Sequence, residues 1–276
     1  MNRSLRVTLR WRLAAFTALM LTSAWAQALV FAINEGVTYR VSNDEIRARY
    51  AAIAVDLSKL LKQPVTLEPI GHYPTLRQGL ADKAYDIALV HPAHLSIVAM
   101  KDSGYRLVAV AKGFEKYQAN FLVRADSPLK SLADLKGKHL GAPDEDSITS
   151  WMVRATLRDA QVDKKSLQMT YTRYQDAVPF FVENHLTHVG ATAASSVIKE
   201  WQAKGGKVLA QSKTVPIKHV IVGASISPDQ VLALREYFTT LDASEEGRKK
   251  LEPSKLRGFA THDEAAMMAL GQWLGL

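Results

Sequence analysis

The sequence contains no cysteine. No disulfide framework can hold the chain, no thiolate can bind a metal, and no cysteine is there to carry a lipid, so stability must come from a core. It has no Gly-rich phosphate-binding loop and no H-E-x-x-H, and Gly223-Ala-Ser-Ile-Ser lacks the second glycine of a nucleophile elbow. No motif for a cofactor is present, and none is expected. There is no basic stripe with interleaved aromatics and no zinc-finger spacing, which argues against nucleic acid. Catalytic triads assemble from distant residues, so missing motifs do not by themselves exclude an enzyme; the expectation is that the protein is not one.

What is present begins with an export signal. Arg3, Arg6, Arg10 and Arg12 precede an apolar stretch, Leu13–Leu21, that is short of the ~20 residues a bilayer span requires. Ala24-Trp25-Ala26 and Ala26-Gln27-Ala28 offer small-x-small cleavage patterns. Residues 1–26 therefore read as a secretory signal peptide, with a product free in a periplasm rather than lipid-anchored. Without the four signal arginines, the 35 basic residues fall to 31 against 27 acidic, a bias of +4 that suits small anions.

The rest of the chain alternates. Leu29–Ile33, Val65–Ile70, Tyr85–Val90 and Arg106–Ala111 read as strands. Helices between them start at the Ser42-x-x-Glu45 box, at Pro74 and after His91-Pro92. A second series follows, with strands at Asn120–Arg124, His139–Ala142, Leu167–Thr172, His188–Thr192 and Lys207–Ala210. Lys218–Gly223 reads as a returning strand, Ser227-Pro228 opens a long helix, and Thr261-x-x-Glu264 a last one. The fold class is α/β with two lobes, each a mostly parallel sheet flanked by helices. Lobe 1 takes 27–112 and 216–276, lobe 2 takes 113–215, and two crossings make a hinge whose cleft would hold the ligand.

The segment Leu140–Met152, L-G-A-P-D-E-D-S-I-T-S-W-M, anchors the functional reading. A strand stops, a turn follows, and a helix opens with Ser147, Thr149 and Ser150 in or beside its first turn. Free amides at a helix start attract anions, and hydroxyls add donors without charge. A plain helix cap needs only one of them and is worth about 1 kcal/mol. His91 sits at another strand end, where the following helix start disfavours imidazolium and leaves a neutral donor. His91 and His94 are too few for a metal, and no metal is expected. Arg40, in the first cleft loop, could supply a direct positive charge, although solvation is the default expected of an arginine.

Several motifs carry a family resemblance: Tyr73 before T-L-R-Q-G-L, then Tyr85-Asp86-Ile87-Ala88, A-N-F-L-V-R-A-D-S-P-L-K-S-L-A-D-L-K-G-K from Ala119 to Lys138, and the Ser147-Ile148-Thr149-Ser150 turn. With these, the chain resembles the periplasmic phosphate/phosphite/phosphonate-binding proteins of ABC transporters, within the type II solute-binding fold, over roughly Leu29 to Leu241. The resemblance implies capture of a small oxyanion between the lobes and delivery to an inner-membrane ABC permease, by a monomer. It also implies ligand contacts from the helix-start hydroxyls and from a tyrosine on each of two first-lobe turns, Tyr39 and Tyr73. With His91 and the strand-end positions Tyr174 and Thr192, the candidate site is Tyr39, Tyr73, His91, Ser147, Thr149, Ser150, Tyr174 and Thr192. The chain departs from the family where Ile148 replaces a hydroxyl and where Tyr174, Gln175 and Asp176 replace a histidine. It also lacks the acid that relatives place near Val189 and Gly190 for an amino group, which turns the expectation away from aminophosphonates. Two other readings are a ligand-sensing partner of a receptor kinase and a binder of small organic acids. An enzyme carrying pyridoxal would need a cleft lysine, for which Lys112 and Lys116 are the candidates.

Overall fold

The computed structural model describes residues 27–36 and 41–276. The expected signal peptide, Tyr39 and Arg40 lie outside the described residues. The first run of elements is β1 (Leu29–Asn34), α1 (Asn43–Leu61), β2 (Val65–Pro69), α2 (Tyr73–Ala81), β3 (Ile87–Val90), α3 (Ala93–Ser103) and β4 (Arg106–Ala111). The second is β5 (Asn120–Val123), β6 (His139–Ala142), α4 (Ile148–Asp159), β7 (Gln168–Tyr171), α5 (Val178–Glu183), β8 (Val189–Thr192), α6 (Ser195–Ala203) and β9 (Lys207–Gln211). The chain closes with β10 (His219–Val222), α7 (Pro228–Thr240), α8 (Glu245–Leu251), β11 (Phe259–Ala260) and α9 (Glu264–Leu274). Among the described residues no helix is long and apolar enough to cross a membrane.

Two sheets result, ordered β11-β4-β10-β3-β1-β2 and β7-β6-β8-β5-β9. Both are mixed, and the antiparallel insertions are informative. β5 lies antiparallel between β8 and β9, and β10 antiparallel between β3 and β4. Each is the first strand laid down after the chain changes sheets. The two connecting segments pair with each other where Tyr117 and Val215 exchange backbone hydrogen bonds of 3.2 and 2.9 Å.

The first sheet is buried on both faces, so its central strands read as continuous apolar runs. One face packs Ile46, Tyr50, Ile53 and Leu57 of α1 with Leu234 and Phe238 of α7. The other face carries α2 and α3, and its apolar cluster runs on without a break into Phe121, Leu140, Met152 and Val153 of the second sheet and α4. Helix α9 lies in this shared layer. A Cβ at Gly271 would stand 2.6 Å from Ile97 Cγ2, so the glycine lets α9 press against α3. The end of α9 is fastened to the end of α4: Arg158 donates to the Trp273 carbonyl, and Trp273 Nε1 donates to Asp159 Oδ2 at 2.9 Å. The expected box at Thr261 is corrected, because Asp263 caps α9 by accepting from the Ala265 amide.

His219 is buried within the first sheet, with Nε2 3.0 Å from the Pro216 carbonyl and Nδ1 2.5 Å from Ser96 Oγ. Burial pushes its pKa down from 6.5 to about 4, with the Pro216 carbonyl opposing. Burial lowers His91 and His94 as well. A histidine held neutral in the fold costs nothing above its unfolded pKa. As pH falls, the unfolded chain takes up protons first, so stability drops from pH 6.5 down to about 4 and then levels for this group. His219 alone contributes about 3 kcal/mol to that drop. Thermal melts at pH about 7.5 and about 5 should show it, and His219→Gln should flatten the dependence.

Candidate functional site

The site grows from strand ends. At the carboxyl edge of the first sheet, β1 ends in Asn34 and Glu35. Asn34 ties this end to β2 by donating to the Ile70 carbonyl at 2.6 Å, and it accepts the Gly36 amide at 3.0 Å. Gly36 has φ +95, and a Cβ there would meet His91 Cδ2 at 2.5 Å. Only glycine allows the chain to turn there and lie against the imidazole. His91 follows β3, is 1% exposed, and presents its ring edge-on to Tyr117 at 6.3 Å. Tyr73 opens α2, is buried, and packs edge-on against His94 at 6.3 Å.

From the second sheet, β6 ends before Pro143 and α4 begins. Ser147 is its cap, accepting the Ser150 amide at 3.2 Å, while Ser150 Oγ donates to the Pro143 carbonyl at 3.0 Å. Local structure therefore occupies Ser150's hydroxyl hydrogen but leaves Ser147's. Thr149, fully buried, stands 3.0 Å from the Tyr117 hydroxyl. Tyr117 in turn accepts from Gln175 Nε2 at 2.7 Å. Gln175 Oε1 is held by Thr192 Oγ1 at 3.1 Å and by the Ala193 amide at 2.7 Å. Thr192 thus positions Gln175 rather than facing the cleft directly, and Gln175 is the buried member of the segment in which Tyr174 is only half-buried. Tyr174 stacks with Arg173, whose guanidinium carbon lies 5.6 Å from its ring centroid.

The two lobes meet above this network. His94 stacks on Trp151 with centroids 5.4 Å apart, and its Nε2 stands 3.5 Å from Asp146 Oδ1 without forming a hydrogen bond. Arg77 of α2 forms an ion pair with the same carboxylate, and Trp151 Nε1 donates to it at 3.3 Å. Burial works against ionisation of Asp146, yet the nearby His94 and Arg77 side chains hold its carboxyl well below the usual range. Outside these contacts a cavity of about 880 Å³ opens between the lobes, lined by Tyr73, Arg77, Asp146, Trp151, Arg154 and Tyr171. Among the described residues there is no group of three or more metal-ligating side chains.

Tyr73 lines the interlobe cavity, His91 and Thr149 each approach Tyr117, and Ser147 caps the helix that carries Thr149. Ser150 and Thr192 support these residues from behind, and Tyr174 lies beside them. The sequence marks none of Tyr117, Gln175, Trp151 and Lys218 as a ligand contact, and it marks His94 only as half of a metal pair. Of the two lysines weighed for a pyridoxal enzyme, Lys112 is paired with Asp242 at 2.6 Å and Lys116 is exposed.

The family model for ABC-transporter phosphonate periplasmic substrate-binding proteins matches residues 36–267. The chain belongs to that family. It is a solute-binding component of a transporter, not an enzyme, and proteins of this family are periplasmic, bind small ligands and deliver them to an ABC permease. Among solved structures, a Xanthomonas citri protein bound to ATP aligns with TM-score 0.75 at 14% identity, over 90% of this chain and 97% of that one. PhnD1 of Prochlorococcus marinus in complex with methylphosphonate aligns with TM-score 0.69 at 15% identity, over 90% and 97%. A binding protein of an ABC phosphonate transporter from Pseudomonas aeruginosa gives TM-score 0.64 at 19% identity, over 89% and 85%. At such identities these likenesses show the fold. No curated protein matches the sequence.

Proposed function

We propose that this protein captures a small oxyanion of the phosphonate, phosphite or phosphate type in the interlobe cleft and presents it to the permease as a free periplasmic monomer. The lobes divide at 112/113 and 215/216, and export uses residues 1–26. Tyr73, His91, Ser147 and Thr149 contact the anion. Ser150, Thr192 and Gln175 hold the contacts in place, Tyr174 lies beside them, and Tyr39 is a further ligand contact that the family resemblance implies.

The observation that carries this reading is the partly buried relay from Gln175 through Tyr117 to Thr149. Gln175 donates to Tyr117. When Tyr117 donates to Thr149, the threonine hydroxyl is left as a donor beside the α4 amides. Neutral donors at a helix start suit an oxyanion, since each hydrogen bond to a charged group is worth about 1.5–3 kcal/mol. Four or five such bonds offset desolvation and lobe closure.

Small-angle scattering and thermal shift test the reading together. Methylphosphonate, phosphite or phosphate should raise the melting temperature and shrink the radius of gyration, because the ligand favours the form in which Arg77 and His94 meet Asp146. ATP, sulfate and acetate serve as comparison ligands. Unchanged scattering and melting with all three phosphorus oxyanions would sink the reading.

A further inference from the structure

Lys218 is only 8% exposed, although lysine is almost never buried without a partner. It immediately precedes β10, and its carbonyl accepts the Ala111 amide at 2.9 Å. The next residue, His219, pairs with Val90 at the end of β3 and Val110 near the end of β4. Lys218 therefore stands on the carboxyl edge of the first sheet, the edge that carries Glu35 and His91 and faces the cleft. Its ammonium lies 4.5 Å from the Phe114 ring centroid. Among the described residues it makes no hydrogen bond and no ion pair. The contrast with nearby cations is sharp, since Arg49 is paired with Glu35 and Lys112 with Asp242.

An aromatic face compensates only part of the hydration an ammonium loses on burial. Burial accordingly lowers the Lys218 pKa, with Glu35 opposing and Arg49 adding to the loss. Lys218 and His91 are close enough for the ammonium to depress the imidazole's proton affinity. Phe114 and Tyr117 belong to one connecting segment, and Tyr117 reaches Thr149 at the start of α4. The charged end of Lys218 and the hydroxyl-lined helix tip thus flank the same segment from opposite lobes.

We infer that Lys218 supplies the positive charge of the ligand site, so that the pocket takes a small anion held between a first-lobe ammonium and the second-lobe start of α4. The inference rests on the oxyanion reading and deepens it. Hydroxyls and helix-start amides favour an anion only through partial charges, whereas a desolvated ammonium supplies a full one. The anion's charge completes the pairing that the protein leaves open.

Calorimetric titration of wild type and Lys218→Met with phosphate, phosphite, methylphosphonate and sulfate tests this. The variant should lose at least about tenfold in affinity for the anion that wild type binds, while its ligand-free melting temperature stays level or rises, because a buried unpaired charge has gone. In wild type, saturation with methylphosphonate should move the Lys218 side-chain nitrogen signal and raise the pH at which it titrates. Unchanged affinity in the variant overturns the inference and leaves the oxyanion reading standing. So does an unmoved nitrogen signal in a ligand-saturated wild type, or a loss of affinity matched by a lower ligand-free melting temperature. Wild type that binds none of the four anions overturns both.

Discussion

Thr149→Val should cut oxyanion affinity by about 10- to 100-fold while leaving the fold intact. Valine keeps the volume and the helix-start position but removes the hydroxyl at the end of the Gln175–Tyr117 relay. A hydrogen bond to a charged ligand is worth about 1.5–3 kcal/mol, which sets the size of the loss. Ser147→Ala makes the useful contrast: it removes the α4 cap and should cost about 1 kcal/mol in stability as well as a ligand contact. Titration calorimetry together with urea melts separates the two. Tyr117→Phe should reproduce much of the Thr149→Val loss, and the double variant should be little worse than either, because the two hydroxyls act through one bond. Wild-type affinity in Thr149→Val would remove the relay from the binding account.

Glu35→Ala should destabilise the protein by about 3 kcal/mol, the largest single loss expected outside the apolar core. The carboxylate is 6% exposed and accepts the Tyr50 hydroxyl at 2.6 Å and Arg49 Nη1 at 2.5 Å. Truncation leaves a buried phenol without its acceptor and a partly exposed guanidinium that keeps only its bond to Glu45. It also withdraws the negative field that helps Lys218 stay charged. Glu35→Gln retains an acceptor and should recover part of the loss. Urea denaturation measures both, and a loss under about 1 kcal/mol for the alanine variant would mean that water replaces the carboxylate.

The architecture was legible wherever burial on both faces wrote itself into the chain. Arg106–Ala111 and His139–Ala142 are strands at the expected residues because a doubly covered strand has little choice of composition. Helix starts with a capping residue and a proline, such as Ser227-Pro228, were equally plain. β11 has two residues and α8 seven, too short for any periodicity to show, and both went unread. Sheet order was beyond reach, since the insertion of β10 between β3 and β4 depends on pairings made across more than a hundred residues. The candidate site was half legible. Ser147 and Thr149 announce themselves by clustering at a helix start. Gln175 hides because its role depends on Thr192 and Tyr117, neither of which is near it in sequence. Lys218 did leave a signal: with His219 it is one of two polar residues inside the apolar run Val215–Val222, and both are buried.

The fastening of α9 to the last turn of α4 decides what kind of motion can admit a solute. The tie at Arg158 and Asp159 lies at the opposite end of α4 from Ser147. While it holds, α4 behaves as a lever with its fulcrum at the far end. A lever of this length, about 18 Å, swings its tip some 6 Å for a rotation of roughly 20°. A swing of that size exceeds the 5.4 Å between the His94 and Trp151 ring centroids and should part the two rings at the start of α4.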